Sequence, residues 1–219
     1  MKKLLLLLLF SLDIAAMTTT FNRASSFGRT HFIRGYHHSP ILQTQNVQQQ
    51  KRLSQSFFGP QDNLLSKVLK TIEEAQETIE VAAFCLTDMR IANHLIDAQK
   101  RGVKVWVIMD ASNMKNNYSK SEKLINNGIT VLRYEPSLRP NYKKNNYQPL
   151  MHLKWIITDN KLITGSANLT RSAQSGENVD SITIFECPEE IKDHRQAFQN
   201  LKQFCVECKP TSSVSKTNQ

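Results

Sequence analysis

A few residues in the C-terminal half of the chain have the types and spacing to do chemistry. His152 and Lys154 are separated by one residue, Asp159 follows, and Gly165, Ser166 and Asn168 come after a short hydrophobic run. On an extended strand side chains alternate between faces. His152 and Lys154 therefore point the same way, while Leu153, Trp155 and Ile157 point into the core. A His and a Lys side by side on a buried strand are costly unless an anion meets them. Ser166 and Asn168, just after a glycine, can bring a hydroxyl and an amide to the same point. The set supplies one nucleophile and several donors. That suits a phosphodiester, whose non-bridging oxygens the donors hold while His152 attacks phosphorus.

The pattern HxKxxxxD followed by GSxN resembles the phospholipase D superfamily, on His152, Lys154, Asp159, Gly165, Ser166 and Asn168. Glu177-Asn178-Val179 is similar to the Glu-Asn step of small family members, and the stretch from AAFCLTD to RGVKVWVIMD resembles the first half of their domain. One departure is visible: five residues, Asn160–Thr164, separate the motif Asp from the Gly, where the family usually has six. A tight two-residue Asp159-Asn160 loop would absorb the deletion. A slip in the register of the next strand would instead displace Ser166 and Asn168.

The resemblance implies an α/β fold, with a mixed β-sheet flanked by helices, in one phospholipase D-like catalytic domain over residues 57–206. It also implies a site that needs two such motifs. This chain carries one motif and no internal repeat, so the site would be shared across a homodimer. One His152 would form a phosphohistidine; the other would protonate the leaving oxygen and then activate water. Lys154, Ser166 and Asn168 would bind the phosphate and stabilise the pentacovalent state. Glu177 would fix the His152 tautomer, and Asp159 would support the motif structurally. No metal and no cofactor is implied.

The elements that must position these residues follow from periodicity. Asn63–Ala75 has helical apolar spacing with Asp62 or Asn63 as N-cap, and Thr78–Leu86 reads as a buried strand. Asp88–Arg101 is a second helix stopped by Gly102. Val103–Met109 and Ile129–Tyr134 read as strands around a short helix, Ser119–Asn127. Residues 136–149 form a loop. Strands at Leu150–Thr158, Lys161–Thr164 and Val179–Phe185 and a helix at Glu189–Phe204 complete the pattern. Helices of this length between strands argue for an α/β sheet covered by helices.

Composition sets the limits. The chain has 219 residues, 40% hydrophobic and 21% charged, which excludes a mostly disordered chain, and seven Gly, which excludes collagen-like sequence. Its +9 charge is unevenly placed: residues 1–56 hold seven basic residues against one acid, leaving 21 against 18 for the rest. The high charge is therefore weak evidence for a nucleic-acid partner. Residues 1–17 read as a signal peptide or short membrane anchor, since the run Leu4–Leu12 is too short for an ordinary transmembrane helix. Residues 18–56, Arg- and Ser-rich, read as linker and also resemble a mitochondrial presequence. The expected location is thus exported or membrane-anchored, with a mitochondrial alternative. Residues 207–219 read as a tail.

Two substrates fit the chemistry. A nucleic acid, DNA or RNA, is the first reading; Arg139, Lys143 and Lys144, set among Tyr142 and Tyr147, suit phosphate contact and base stacking. An anionic phospholipid such as cardiolipin is the second, since the same loop suits lipid headgroups. Cys205 and Cys208 form a CxxC that reads as a small disulfide or half a zinc site, the metal being disfavoured for want of partners. Cys85 reads as core, and His94 as a partly exposed polar position.

Overall fold

Apolar alternation and helical stripes resolve into strands and helices in the expected order, in a computed structural model that describes residues 53–140, 142–143 and 148–210. The strands and helices are β1 Ser54–Phe58, α1 Leu64–Glu74, β2 Thr78–Ala83, α2 Met89–Lys100, β3 Lys104–Asp110, the short α3 Ala111–Met114, α4 Ser121–Asn126, β4 Thr130–Tyr134, β5 Lys154–Thr158, β6 Leu162–Gly165, the short α5 Arg171–Gln174, β7 Ser181–Phe185, α6 Pro188–Lys202 and β8 Cys205–Cys208. Local chemistry sets the helix ends. The Asn63 side chain accepts from the Ser66 backbone N–H to cap α1, and Asp88 accepts from Arg90 to cap α2. Gly102 ends α2 at φ +95°, a conformation that Gly adopts without a Cβ penalty.

The strands make one eight-stranded sheet in the order β1-β7-β6-β5-β2-β3-β4-β8. β2, β3 and β4 are parallel, as their helical crossovers require, and every other pairing is antiparallel. The sheet is therefore mixed. Alternate strand residues serve two cores. Ile79, Val81, Val107 and Ile156 pack with Leu64, Val68 and Ile72 of α1 and Leu95 of α2 on one face. Ala82, Ile108, Ile157 and Leu162 pack with Ile191 and Phe198 of α6 on the other. Full burial of each large aliphatic or aromatic side chain contributes about 1.5–3 kcal/mol, so both faces are needed to fix the order of strands.

The expected two-residue loop is present. Ile156 pairs with Ile163 and Ile157 with Leu162, and Thr158 N–H donates to Lys161 O at 2.8 Å, leaving Asp159 and Asn160 at the turn. Elsewhere the boundaries differ. Residues Ser54–Ser56, read as linker, belong to β1, and the stretch read as a tail begins inside β8. Both are edge strands; β1 buries only Phe57 and so shows no alternation. The strand expected from Leu150 starts only at Lys154, because Met151 N–H turns aside to Asp110 Oδ2 at 2.9 Å. The strand expected from Val179 starts at Ser181, and Val179 is 90% exposed.

The CxxC lies along β8. Three residues along a strand span about 10 Å and place the two side chains on opposite faces. A disulfide needs Cα atoms within about 4.4–6.8 Å, so Cys205 and Cys208 cannot be bridged in this strand; both are free. Burial pushes the Cys205 thiol up to about 12, with the nearby Cys208 and Glu135 adding to it. His94 bonds Arg90 O at 2.8 Å and Glu73 at 2.9 Å, a polar bridge between α2 and α1. Among the described residues no helix is long and apolar enough to cross a membrane. Residues 1–17, most of 18–56, Lys144 and Tyr147 lie outside the described residues.

Candidate active site

His152 and Lys154 meet at the end of the sheet where β2 finishes and β5 begins. Ala83 pairs with Lys154, and Phe84 N–H donates to Leu153 O at 2.8 Å, which holds the segment before β5 extended. Leu153, Trp155 and Ile157 pack on the α6 side, so His152 and Lys154 project from the opposite face. Lys154 Nζ lies 3.2 Å from His152 Nδ1 and donates to His152 O at 2.9 Å. The His152 ring leans on Phe84 with centroids 4.4 Å apart, and Lys154 Nζ stands 5.3 Å from the same ring. His152 is exposed, and Lys154 is half-buried. Burial drives the Lys154 ammonium below its usual range, while Asp180 and then Cys85 oppose that shift.

Ser166 and Asn168 leave the end of β6 and cross toward the same point. Leu169 N–H donates to Cys85 O at 3.1 Å, and Leu169 O accepts from Thr87 and Asp88, tying this loop to the end of β2. Gly165 pairs with Ile182, and a Cβ on it would overlap the Ser181 carbonyl oxygen; the Gly of GSxN is therefore a packing requirement. The Ser166 hydroxyl was expected to face phosphate. Instead it donates to Asp180 Oδ1 at 2.6 Å and accepts from Ser181 N–H at 3.0 Å. Its one proton is committed. Asn168 Oδ1 is buried without a hydrogen bond, and its backbone oxygen accepts from Gln174 at 2.9 Å.

Asp159 is not gathered with these groups. It sits at the other end of β5, about 16 Å from Lys154 at five residues of strand rise. There it accepts from the N–H groups of Gln76 at 2.7 Å, Glu77 at 3.1 Å and Thr78 at 2.7 Å. Burial pushes its carboxyl up, but these donors outweigh burial and hold it below the usual range. Glu177 is exposed and makes no hydrogen bond to His152 within the single chain. Arg139 borders a groove beside His152, and Lys143 is exposed. Two neighbours of the site went unread in the sequence. Phe84 lay inside an apolar run taken as plain strand, and Asp180 fell inside the strand expected from Val179, with nothing local to single it out.

The arrangement offers an exposed imidazole, a partly desolvated ammonium and a loop carrying an amide, all at one open sheet end. Comparison with known proteins agrees with that chemistry. The family described as "Cardiolipin synthase, PLD-like domain" matches residues 68–202. The phospholipase D of Rickettsia conorii is 32% identical over 146 residues, 66% of this chain and 67% of that protein. The mitochondrial cardiolipin hydrolase of Danio rerio is 31% identical over 137 residues, 62% of this chain and 56% of that protein. Among solved structures, Nuc from Salmonella typhimurium, a phospholipase D family member, superposes with a TM-score of 0.61 at 25% identity, covering 71% of this chain and 97% of that one. NucT from Helicobacter pylori gives a TM-score of 0.64 at 25% identity over 71% of this chain and 98% of its own. With the motif, the mixed sheet and a family match over more than half its length, this chain belongs to the phospholipase D superfamily of hydrolases.

Proposed function

We propose that this protein is a phosphodiesterase that works through a phosphohistidine on His152, acts as a homodimer, and takes a nucleic acid as substrate. The observation that carries the chemistry is the contact between Lys154 Nζ and the ring of an exposed His152. His152 attacks phosphorus, and the leaving oxygen departs with a proton from the second chain's imidazole. That imidazole then takes a proton from water as the water oxygen bonds to phosphorus and the P–N bond breaks, which frees the phosphate and restores His152. Lys154 and the Asn168 amide offset the charge of the pentacovalent state. The chain's own cations supply this charge, so no metal is called for.

The dimer reading gains support from the rim. Met89 at the start of α2, Leu138 after β4, and Tyr118, Leu150 and Val179 in connecting segments are exposed apolar side chains, on stretches that join strands at the end of the sheet that carries His152. Exposed apolar groups gathered in this way suit a protein interface. The nucleic-acid reading rests on cations beside the Asn168 loop: Lys120 and Arg171 line a depression there together with the Asp88–Arg90 ion pair, and Arg139 borders the other side of the site. A chain of phosphates longer than the site itself would meet them.

A specific observation favours a second reading, an anionic phospholipid. A groove of about 440 Å³ next to His152 is lined by Leu150, Leu153, Trp155, Leu201 and Phe204. Such a surface suits hydrocarbon, with the phosphate placed at His152 and Arg139. The mitochondrial address belongs with this reading, by analogy with the cardiolipin hydrolases. Parallel assays of the full chain on single-stranded DNA, duplex DNA, RNA and cardiolipin vesicles decide between them. Sedimentation together with turnover tests the dimer, and an active monomer at high dilution would refute it.

A further inference from the structure

We infer that Gln174, which lies outside both motifs, is a positioning residue: its buried side-chain amide holds the Asn168–Leu169 peptide and so aims the Asn168 amide at the reacting phosphate. The inference rests on the proposed role of Asn168 in phosphodiester chemistry.

The Asn168–Leu169 peptide is gripped from both edges. Its N–H, on Leu169, donates to Cys85 O at 3.1 Å. Its carbonyl, on Asn168, accepts from Gln174 Nε2 at 2.9 Å. Cys85 follows Phe84, whose N–H donates to Leu153 O, the residue after His152. The end of β2 thus ties one edge of this peptide and the backbone beside His152 into a single frame, and Gln174 holds the other edge. Only the NH₂ end of the Gln174 amide can face a carbonyl, so the direction of that amide is set by its partner. Its main chain is anchored as well. Gln174 closes α5, where its N–H donates to Thr170 O at 3.0 Å, and the preceding Ala173 is fully buried in the core.

Stability alone does not account for a glutamine at this point. Gln174 is 1% exposed. Among the described residues, the buried side-chain acceptors without a hydrogen bond are Gln174 Oε1 and Asn168 Oδ1. A buried acceptor without a partner is unfavourable. An apolar side chain at 174 would remove one such atom and leave the Asn168 carbonyl unbonded in its place. The glutamine therefore exchanges one unbonded acceptor for another; what it adds is a fixed peptide. With Asn168 Oδ1 buried, the NH₂ end of that side chain is the one left for a phosphate oxygen. Preorganised donors work only when held in the right place, and Gln174 does the holding.

The test uses the full chain and bis(p-nitrophenyl) phosphate as probe. Gln174→Met keeps the length of the side chain and removes its donor. Its kcat is expected to fall about 10–100-fold, since misplacing a catalytic group by about 1 Å can cost about 10²-fold, with KM little changed. Its Tm should stay near that of the parent, because one unbonded acceptor replaces another. Gln174→Leu, with neither donor nor acceptor, should give the same readings and serves where the Met variant does not fold. In an Asn168→Ala background Gln174→Met should lower kcat no further, because the group it positions is gone. Parent-like kcat in Gln174→Met would overturn the inference, as would a change confined to KM or losses that multiply in the double variant. A large fall in Tm with turnover per folded molecule unchanged would make Gln174 merely structural and overturn it too. Asn168→Ala by itself separates the levels: parent-like turnover in that variant sinks the proposed role of Asn168, whereas its loss beside a normal Gln174→Met sinks only the present inference.

Discussion

Asp159→Asn separates a structural aspartate from a catalytic one. The carboxylate receives four donors: Gln76 N–H at 2.7 Å, Glu77 N–H at 3.1 Å, Thr78 N–H at 2.7 Å and the Thr78 hydroxyl at 3.2 Å. These close the turn from α1 into β2 and anchor the β5–β6 hairpin to it. Asparagine keeps one acceptor oxygen but aims an NH₂ group at backbone N–H groups. A buried hydrogen bond to a charged group is worth about 1.5–3 kcal/mol. The Gln76 and Glu77 contacts face solvent, so we discount the sum to a loss of about 2 kcal/mol. For a domain of this size that is a fall of about 4–8 °C in Tm. The sign with pH follows from the depressed carboxyl: its contribution is fully present above the ordinary aspartate range and is lost as pH falls through the depressed value. Urea unfolding at neutral pH and at progressively lower pH should therefore show a gap between parent and variant that closes in acid. Turnover per folded molecule should remain near that of the parent, because the side chain is about 16 Å from Lys154 along the strand. Unchanged stability with turnover reduced to the level of His152→Ala would refute this account.

Other outcomes follow from the same geometry. His152→Ala should abolish turnover and the acid-labile, base-stable phosphoryl adduct on the protein; an adduct that persists would move the nucleophile elsewhere. Lys154→Ala should reduce kcat about 10²–10³-fold, as expected for a lost preorganised charge, measured on the same phosphodiester probe. Gly165→Ala should destabilise by about 1–3 kcal/mol and impair turnover together, since a Cβ there must push β6 from the Ser181 carbonyl; calorimetry and kinetics on one sample check the pairing. Excess chelator should leave the rate unaffected, and abolition with rescue by Mg²⁺ or Zn²⁺ would refute the cation-free mechanism.

Residue type and short-range periodicity carried a large part of this protein. The β-branched runs and helical stripes of residues 63–134 read in the right order, apart from the short α3, because the strands are buried on both faces and the longer helices on one stripe, whereas α3 buries no residue. The HxKxxxxD and GSxN spacing pointed to phosphodiester chemistry, and the one-residue deletion pointed to the hairpin turn at Asp159-Asn160, because strand alternation and turn length are local properties. Edge strands escaped: β1 buries one residue and β8 fewer still, so neither had a pattern to read. The partners of the site escaped for a different reason. Ser166 and Asp180 are 14 residues apart in sequence and 2.6 Å apart in space, and Asp159 reaches Thr78 across 81 residues. Such meetings depend on which strands are neighbours and in what register. Only the assembled sheet decides that, since a carboxylate placed by the β6–β7 pairing has the same local sequence as one left in solvent.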